Sequence, residues 1–153
     1  MSSRAIETKI DIAAPVEQVW RVLADFSAYP QWSRFIMSVE GSPRAGGRLS
    51  VRLDDGGGAM QIRPQVLICT PYELRWRGVL GASFLFSGEH YFQLAPLPTG
   101  GTRLTHGEVF GGLLVPLLWT RLDTATRRGF QDFNVAVRGR AEALNRAPTK
   151  SNP

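Results

Sequence analysis

Two histidines and one carboxylate, His90, His106 and Glu108, are the residues best placed by type and spacing to do chemistry. The stretch from Ala95 to Thr102, rich in Pro and Gly, reads as the connection of a hairpin between two alternating strands. With Leu94 set opposite Leu104, Phe92 faces His106 and His90 faces Glu108, and the period of two puts all four on one face. Glu89 and Tyr91 then point outward. A histidine opposite a carboxylate in apolar surroundings makes an acid/base pair, because the carboxylate fixes the ring tautomer and raises its basicity. The same pair could instead satisfy itself, rim a cavity, or hydrogen-bond a bound molecule without reacting.

Other chemistries find less support. A metal centre needs more than two histidines and one carboxylate on neighbouring strands, although three ligands are formally enough, and no metal or other cofactor is expected. There is no Gly-x-Ser-x-Gly elbow, and Ser83 and Ser87 lack a context that would activate them. Gly46-Gly47 and Gly56-Gly57-Gly58 do not precede helices, so hairpin tips explain them better than phosphate cradles. The single cysteine, Cys69, excludes a disulfide framework within the chain and reads as a small hydrophobe in a reducing, cytoplasmic setting.

The elements that must position these residues follow from periodicity. Residues Ala5 to Ala13 alternate, with Ile6, Thr8, Ile10 and Ile12 on one face, as a half-buried strand does. Ala14-Pro15 opens a short helix with the stripe Val16, Val19, Trp20 and Leu23; Pro30 opens a second over Tyr29 to Phe35. From Ile36 the period becomes two, and turn signals divide some seventy residues into six more strands. Their inward sets include Leu49, Val51 and Leu53; Met60, Ile62, Val66 and Ile68, with Pro64 marking a bulge or edge; Leu74, Trp76 and Leu80; and Phe84, Phe86, His90, Phe92 and Leu94. Leu104, His106, Glu108 and Phe110 form the last set.

A single long helix then runs from Leu113 to Leu144, its buried stripe formed by Val115, Leu118, Trp119, Leu122, Phe130, Phe133, Val137, Ala141 and Leu144. Thr126 and Gly129 interrupt that stripe. Gly129 lowers helix propensity by about 1 kcal/mol relative to Ala, so the position needs a reason: a void opposite Trp76 or Phe86, or close packing of helix on strand. The segment Gly111 to Trp119 carries more apolar residues than one buried face requires, so some of Leu113, Leu114, Leu117 and Leu118 are expected at a cavity mouth, a dimer contact or a membrane-facing patch, the mouth being preferred.

The whole is an α+β domain, one curved antiparallel sheet in the order strand, two helices, six strands, long helix. At 153 residues, 43% hydrophobic and 20% charged, the chain suits one domain over 1–147, with 148–153 as a disordered tail. No apolar run is long enough to span a bilayer, and Met1 to Arg4 does not open a signal peptide. The net charge of +5 comes from scattered arginines, which argues against a nucleic-acid partner.

The segment Asp25-Phe26-Ser27-Ala28-Tyr29-Pro30-Gln31-Trp32-Ser33-Arg34-Phe35 resembles the Asp-Phe, Tyr-Pro-x-Trp-Asn-Pro-Phe segment of the polyketide cyclase/dehydrase-like branch of the START/Bet v 1 (SRPBCC) superfamily. It departs at Ser33-Arg34, where Asn-Pro is common. Gly88-Glu89-His90-Tyr91-Phe92 and Glu108 to Leu114 look similar as well, and the resemblance covers Ala5 to Leu144. It implies the helix-grip fold: a seven-stranded antiparallel sheet gripping the C-terminal helix, two short helices closing one end, and a deep apolar cavity between.

The resemblance implies a carrier of a small hydrophobic or aromatic molecule, lipid- or polyketide-like. An alternative is a cyclase/dehydratase-type enzyme with His90, Glu108 and His106 as the candidate catalytic residues; another is a partner-binding module that uses the Leu113 to Trp119 patch. The residues expected to line the cavity are Trp32, Phe35, Trp76, Phe84, Phe86, His90, Phe92, His106, Glu108, Phe110, Leu117, Thr126, Gly129 and Phe133. Ligand identity is beyond the sequence.

Overall fold

A computed structural model describes residues 3–147; the tail assigned to 148–153 lies outside them. The chain begins with β1 (Arg4–Ile12), α1 (Val16–Ala24), a 3-10 turn (Phe26–Ala28) and α2 (Tyr29–Trp32). Seven strands follow: β2 (Ile36–Glu40), β3 (Ser50–Asp54), β4 (Ala59–Ile62), β5 (Gln65–Thr70), β6 (Glu73–Val79), β7 (Ser87–Pro96) and β8 (Thr102–Gly111). Helix α3 (Val115–Arg121), a π-wound turn (Leu122–Thr126) and α4 (Arg127–Arg146) complete it.

Alternation decides the faces of β1, where Ile6, Thr8 and Ile12 are buried and Glu7, Lys9 and Asp11 are exposed. Pro15 stands one residue before α1, which needs no donor there, and Glu17 sits in the first turn. The buried stripe of α1 is Val16, Val19, Val22 and Leu23, with Trp20 half-buried at its edge.

The sheet differs from expectation at Pro64. The run Met60 to Ile68 reads as one strand, but Arg63-Pro64 divides it into β4, which pairs with β3, and β5, which pairs with β6. Proline brings no N–H to a ladder, so pairing changes partner there and eight strands stand where seven are expected. The ladders run β1-β8-β7-β6-β5 and β2-β3-β4. Backbone hydrogen bonds from Val66 N–H to Gly47 O (2.8 Å), Gly46 N–H to Val66 O (2.8 Å) and Leu49 N–H to Pro64 O (2.9 Å) join them into one curved surface. A register shift between Val66 and Ile68 turns Ile68 out of the buried set.

Two further differences bear on the site. Residues 80–86 form a loop between β6 and β7 rather than strand, closed by Leu80 N–H to Phe86 O (3.1 Å) and turned at Gly81 (φ +72°). The long helix starts at Val115 and is helical to Arg146, but it is not uniform: the π turn inserts one residue per turn over Leu122–Thr126. Before and through it, Leu118, Leu122 and Thr126 look into the hollow of the sheet; after it, Phe130, Phe133, Val137 and Ala141 pack into the core, and Leu144 is exposed.

Candidate functional site

The hollow encloses a cavity of about 280 Å³. Its walls come from β6–β8 (Trp76, Gly78, Gly88, His90, Glu108, Phe110), from β3–β4 (Leu53, Met60, Ile62), and from the helix (Leu118, Leu122, Thr126), with Phe35 and Phe86 closing gaps. Asp55, Val79, Leu80 and Arg121 complete the lining. The polar side chains in this apolar surface are therefore few, the arrangement of a ligand pocket. A broader depression of about 980 Å³ along Asp11–Pro15, Leu97–Gly101 and α4 is an open surface groove.

Of the residues expected to line the cavity, Phe35, Trp76, Phe86, His90, Glu108, Phe110 and Thr126 do so. Trp32, Phe92, His106 and Phe133 belong to packed surroundings instead: Phe92, His106 and Phe133 are buried against one another, and Trp32 packs on Tyr29 and Phe133. Phe84 sits in the 80–86 loop and is 56% exposed, because the strand that would have turned it inward begins only at Ser87. Leu117 is 80% exposed, one position from Leu118, which lines the cavity.

Gly129 does not face a void. A Cβ built there would overlap the ring of Phe35, so close packing is the reason for this glycine. The Tyr-Pro-x-Trp segment has a structural role: Tyr29 is fully buried, donates its hydroxyl to Leu23 O (2.7 Å), and packs against Phe26, Trp32 and Phe133. Burial, with Asp25 nearby, pushes its phenol far up. The hydroxyl of Ser33 is buried and has no partner among the described residues.

The hairpin β7–β8 carries the register set by Leu94 opposite Leu104, and it places His90 opposite Glu108 and Phe92 opposite His106. His90 Nδ1 lies 3.5 Å from Glu108 Oε2, side by side but longer than a direct hydrogen bond. On the ring's other side, His90 Nε2 lies 2.7 Å from His106 Nε2. The His90 ring stacks on Trp76 at 5.1 Å and that of His106 on Phe130 at 4.1 Å.

Glu108 reaches this position because β7 has no side chain at Gly88; a Cβ there would collide with Glu108 Oε1. His106 is closed off behind the pair. Its Nδ1 is 2.8 Å from Asn134 Oδ1, Asn134 Nδ2 donates to Thr8 Oγ1 (2.8 Å), and Thr8 donates to His106 O (2.9 Å). Burial and neighbouring His90 hold the His106 ring well below the usual histidine range, against the opposing pull of Asn134 and the Phe130 backbone. Both ring nitrogens of His106 are engaged, Nδ1 by Asn134 and Nε2 by His90, and no group of three or more His, Cys, Asp or Glu converges among the described residues.

Sequence reading passed over Asn134 and Thr8. Their signals were available: Asn134 falls in the apolar stripe of the helix between Phe133 and Val137, and Thr8 lies in the inward set of β1. Asp55 and Arg121 also line the cavity although nothing local in their spacing marks them, while the inward spacing of Leu53 and Leu122 does not tell cavity from core.

Around the cavity lies an apolar rim. Leu113 N–H bonds to Phe84 O (3.0 Å) and Leu114 N–H to Leu85 O (3.0 Å), which brings the 80–86 loop against the start of α3. Val79, Leu80, Phe84, Leu113 and Leu117 are all exposed there. Burial pushes the half-buried Cys69 thiol up, which suits a packing role. Among the described residues, no helix is long and apolar enough to cross a membrane.

Comparison with solved structures finds this architecture repeatedly. The Zhui aromatase/cyclase of a Streptomyces species is similar over 95% of this chain and 98% of its own (TM-score 0.79, 22% identity). A START superfamily protein from Mycobacterium smegmatis is similar over 92% and 98% (TM-score 0.75, 21% identity). A norcoclaurine synthase variant from Thalictrum is similar over 94% and 96% (TM-score 0.71, 11% identity).

At these identities the likeness establishes the fold, the helix-grip arrangement of the START/Bet v 1-like superfamily. A search of curated proteins by sequence finds no match. The sequence pattern of one family does match, across residues 3–142, and the chain belongs to that family: polyketide cyclase / dehydrase and lipid transport.

Proposed function

We propose that this protein binds a small, compact hydrophobic or aromatic molecule in the cavity between the sheet and the π-wound part of the helix. The observation that carries this reading is the cavity itself: about 280 Å³, walled by Trp76, Phe86, Phe110 and Phe35, with His90 and Glu108 as polar anchors. Pockets that take drug-sized ligands begin at roughly 300 Å³, so one or two fused rings fit this space better than a long acyl chain. The aromatic walls supply affinity, and the anchors orient the ligand. The lone, half-buried Cys69 suits a cytoplasmic carrier.

Native mass spectrometry of the protein purified from its own host tests this. A co-purifying small molecule that is lost in a Trp76→Ala variant is the expected result. A wild-type protein that carries nothing and binds no aromatic compound in calorimetric titration would count against it.

A second reading, acid/base chemistry on that ligand, is favoured by the placement of His90 and Glu108 next to each other in the cavity lining. The aromatase/cyclase among the similar structures lends it support by analogy alone. Turnover of polyketide-like substrates that disappears in both His90→Phe and Glu108→Gln, while binding persists, would separate catalyst from carrier.

A further inference from the structure

A carbonyl oxygen can only accept a hydrogen bond, and one such atom sets the direction of a buried chain that ends at the cavity. His106 O accepts from the Thr8 hydroxyl (2.9 Å), so the Thr8 oxygen has a lone pair free to accept from Asn134 Nδ2 (2.8 Å). The amide is thereby oriented with Oδ1 toward His106, and Nδ1 of that ring must carry a proton to meet it at 2.8 Å. A neutral His106, the state its burial imposes, then has a bare Nε2. The 2.7 Å contact between the two Nε2 atoms needs one donor, and only His90 can supply it.

With its Nε2 proton committed inward, His90 turns Nδ1 toward Glu108 Oε2 at 3.5 Å. A bare nitrogen facing an ionised carboxylate there would leave two acceptors opposed, both largely removed from water. We propose that His90 and Glu108 hold one proton between them, kept at the cavity wall by Thr8, Asn134 and His106 acting as positioning residues, and that the cavity takes ligands presenting a hydroxyl or carbonyl oxygen to that proton. The choice of ligand rests on the binding function proposed above; the location of the proton does not.

The groups around His90 leave the assignment intact. From β8 it meets Glu108 and His106, from β6 the ring of Trp76, and from α4 the ring of Phe130. Asp55 and Arg121 are the other charged residues of the cavity lining. Gly88 has the complementary role on β7, leaving the space that the Glu108 carboxylate occupies.

Nitrogen-15 spectra of the full chain, labelled at histidine, test the arrangement directly, since the sequence has only two histidines. Near neutral pH the expected result is His106 as the neutral Nδ1–H tautomer and His90 with Nε2 protonated and a proton shared at Nδ1. A proton on Nε2 of His106, or a bare His90 Nδ1 beside an ionised Glu108, overturns the proposal. Thr8→Val should mix the His106 tautomers and Thr8→Ser should restore the single one; an unchanged tautomer in folded Thr8→Val overturns the role of Thr8. Should Thr8→Val not fold, Asn134→Asp serves, because a carboxylate accepts from Nδ1–H in either orientation, and loss of that tautomer in it overturns the chain.

Calorimetry with 2-naphthol and naphthalene then reads the ligand preference, expected to be about tenfold in favour of the hydroxyl. Equal affinity refutes the preference while leaving the binding function standing. If neither compound binds, the binding function fails, and the spectra still decide where the proton is.

Discussion

A methyl group at Gly129 sets helix propensity against packing, and the structure says which prevails. Gly129 lies inside α4, where alanine would be favoured by about 1 kcal/mol on propensity alone. Its would-be Cβ, however, falls on the ring of Phe35, a buried side chain held edge-on by Phe130 at 5.7 Å. Overpacking of this kind costs about 1–3 kcal/mol. The net expectation for Gly129→Ala is therefore a loss of about 0–2 kcal/mol, read as a lower urea midpoint at unchanged slope.

The direction of the displacement matters more than its size. Phe35 is bounded on one side by the helix and on the other by the cavity it lines, so a ring pushed off Gly129 moves into the binding space. Affinity for a bicyclic aromatic probe should fall about tenfold or more, measured by calorimetry on folded protein. Phe35→Leu in the same chain makes room for the methyl group and should recover both stability and binding. The coupling in that double-mutant cycle should exceed about 0.5 kcal/mol. A Gly129→Ala protein stabilised by the full propensity gain, with affinity intact and additive effects in the cycle, would refute the packing argument.

Three other perturbations have expected outcomes. His106 is held below its ordinary value of 6.5, so as pH falls through 6.5 the unfolded chain takes up a proton that the folded one refuses. Stability should then drop by up to about 1.4 kcal/mol per pH unit until the folded value is reached; urea titrations at several pH values should show this slope flattened in His106→Gln. Tyr29→Phe removes the 2.7 Å bond to Leu23 O and should lower stability by about 1 kcal/mol in thermal or urea melts, with ligand affinity unchanged because the ring is remote from the cavity. Leu117→Gln, at a position 80% exposed and outside the cavity lining, should alter stability by no more than about 0.5 kcal/mol and leave binding intact; a large loss of affinity would show that Leu117 touches the ligand.

Much of the architecture is written locally. The alternation of β1 and β7–β8, the prolines that open α1 and α2, and the apolar stripe of the C-terminal helix each depend on neighbours within a few residues, which is why element order and type are legible in the chain. Even the opposition of His90 and Glu108 follows from one hairpin, because loop length sets register and register sets faces. Pro64 gave its warning too, though the change of partner that it causes requires knowing what lies on each side.

Which inward residue meets the cavity and which meets the core is a different kind of fact. Phe92 and His90 share a face of β7, yet Phe92 is enclosed by Trp76, His106 and Phe133 while His90 borders open space, because the cavity lies over the earlier part of the helix, at Leu118, Leu122 and Thr126, and the core over the later part. Gly129 reads equally well as void or contact until Phe35, from a loop far away in sequence, is placed against it. Thr8 and Asn134 stand 126 positions apart, and no local pattern joins them. Periodicity determined that this chain would build a curved sheet over a long helix with a histidine facing a carboxylate. Only the tertiary structure decided where the space is and which way the buried hydrogen bonds run, since both depend on distant segments meeting.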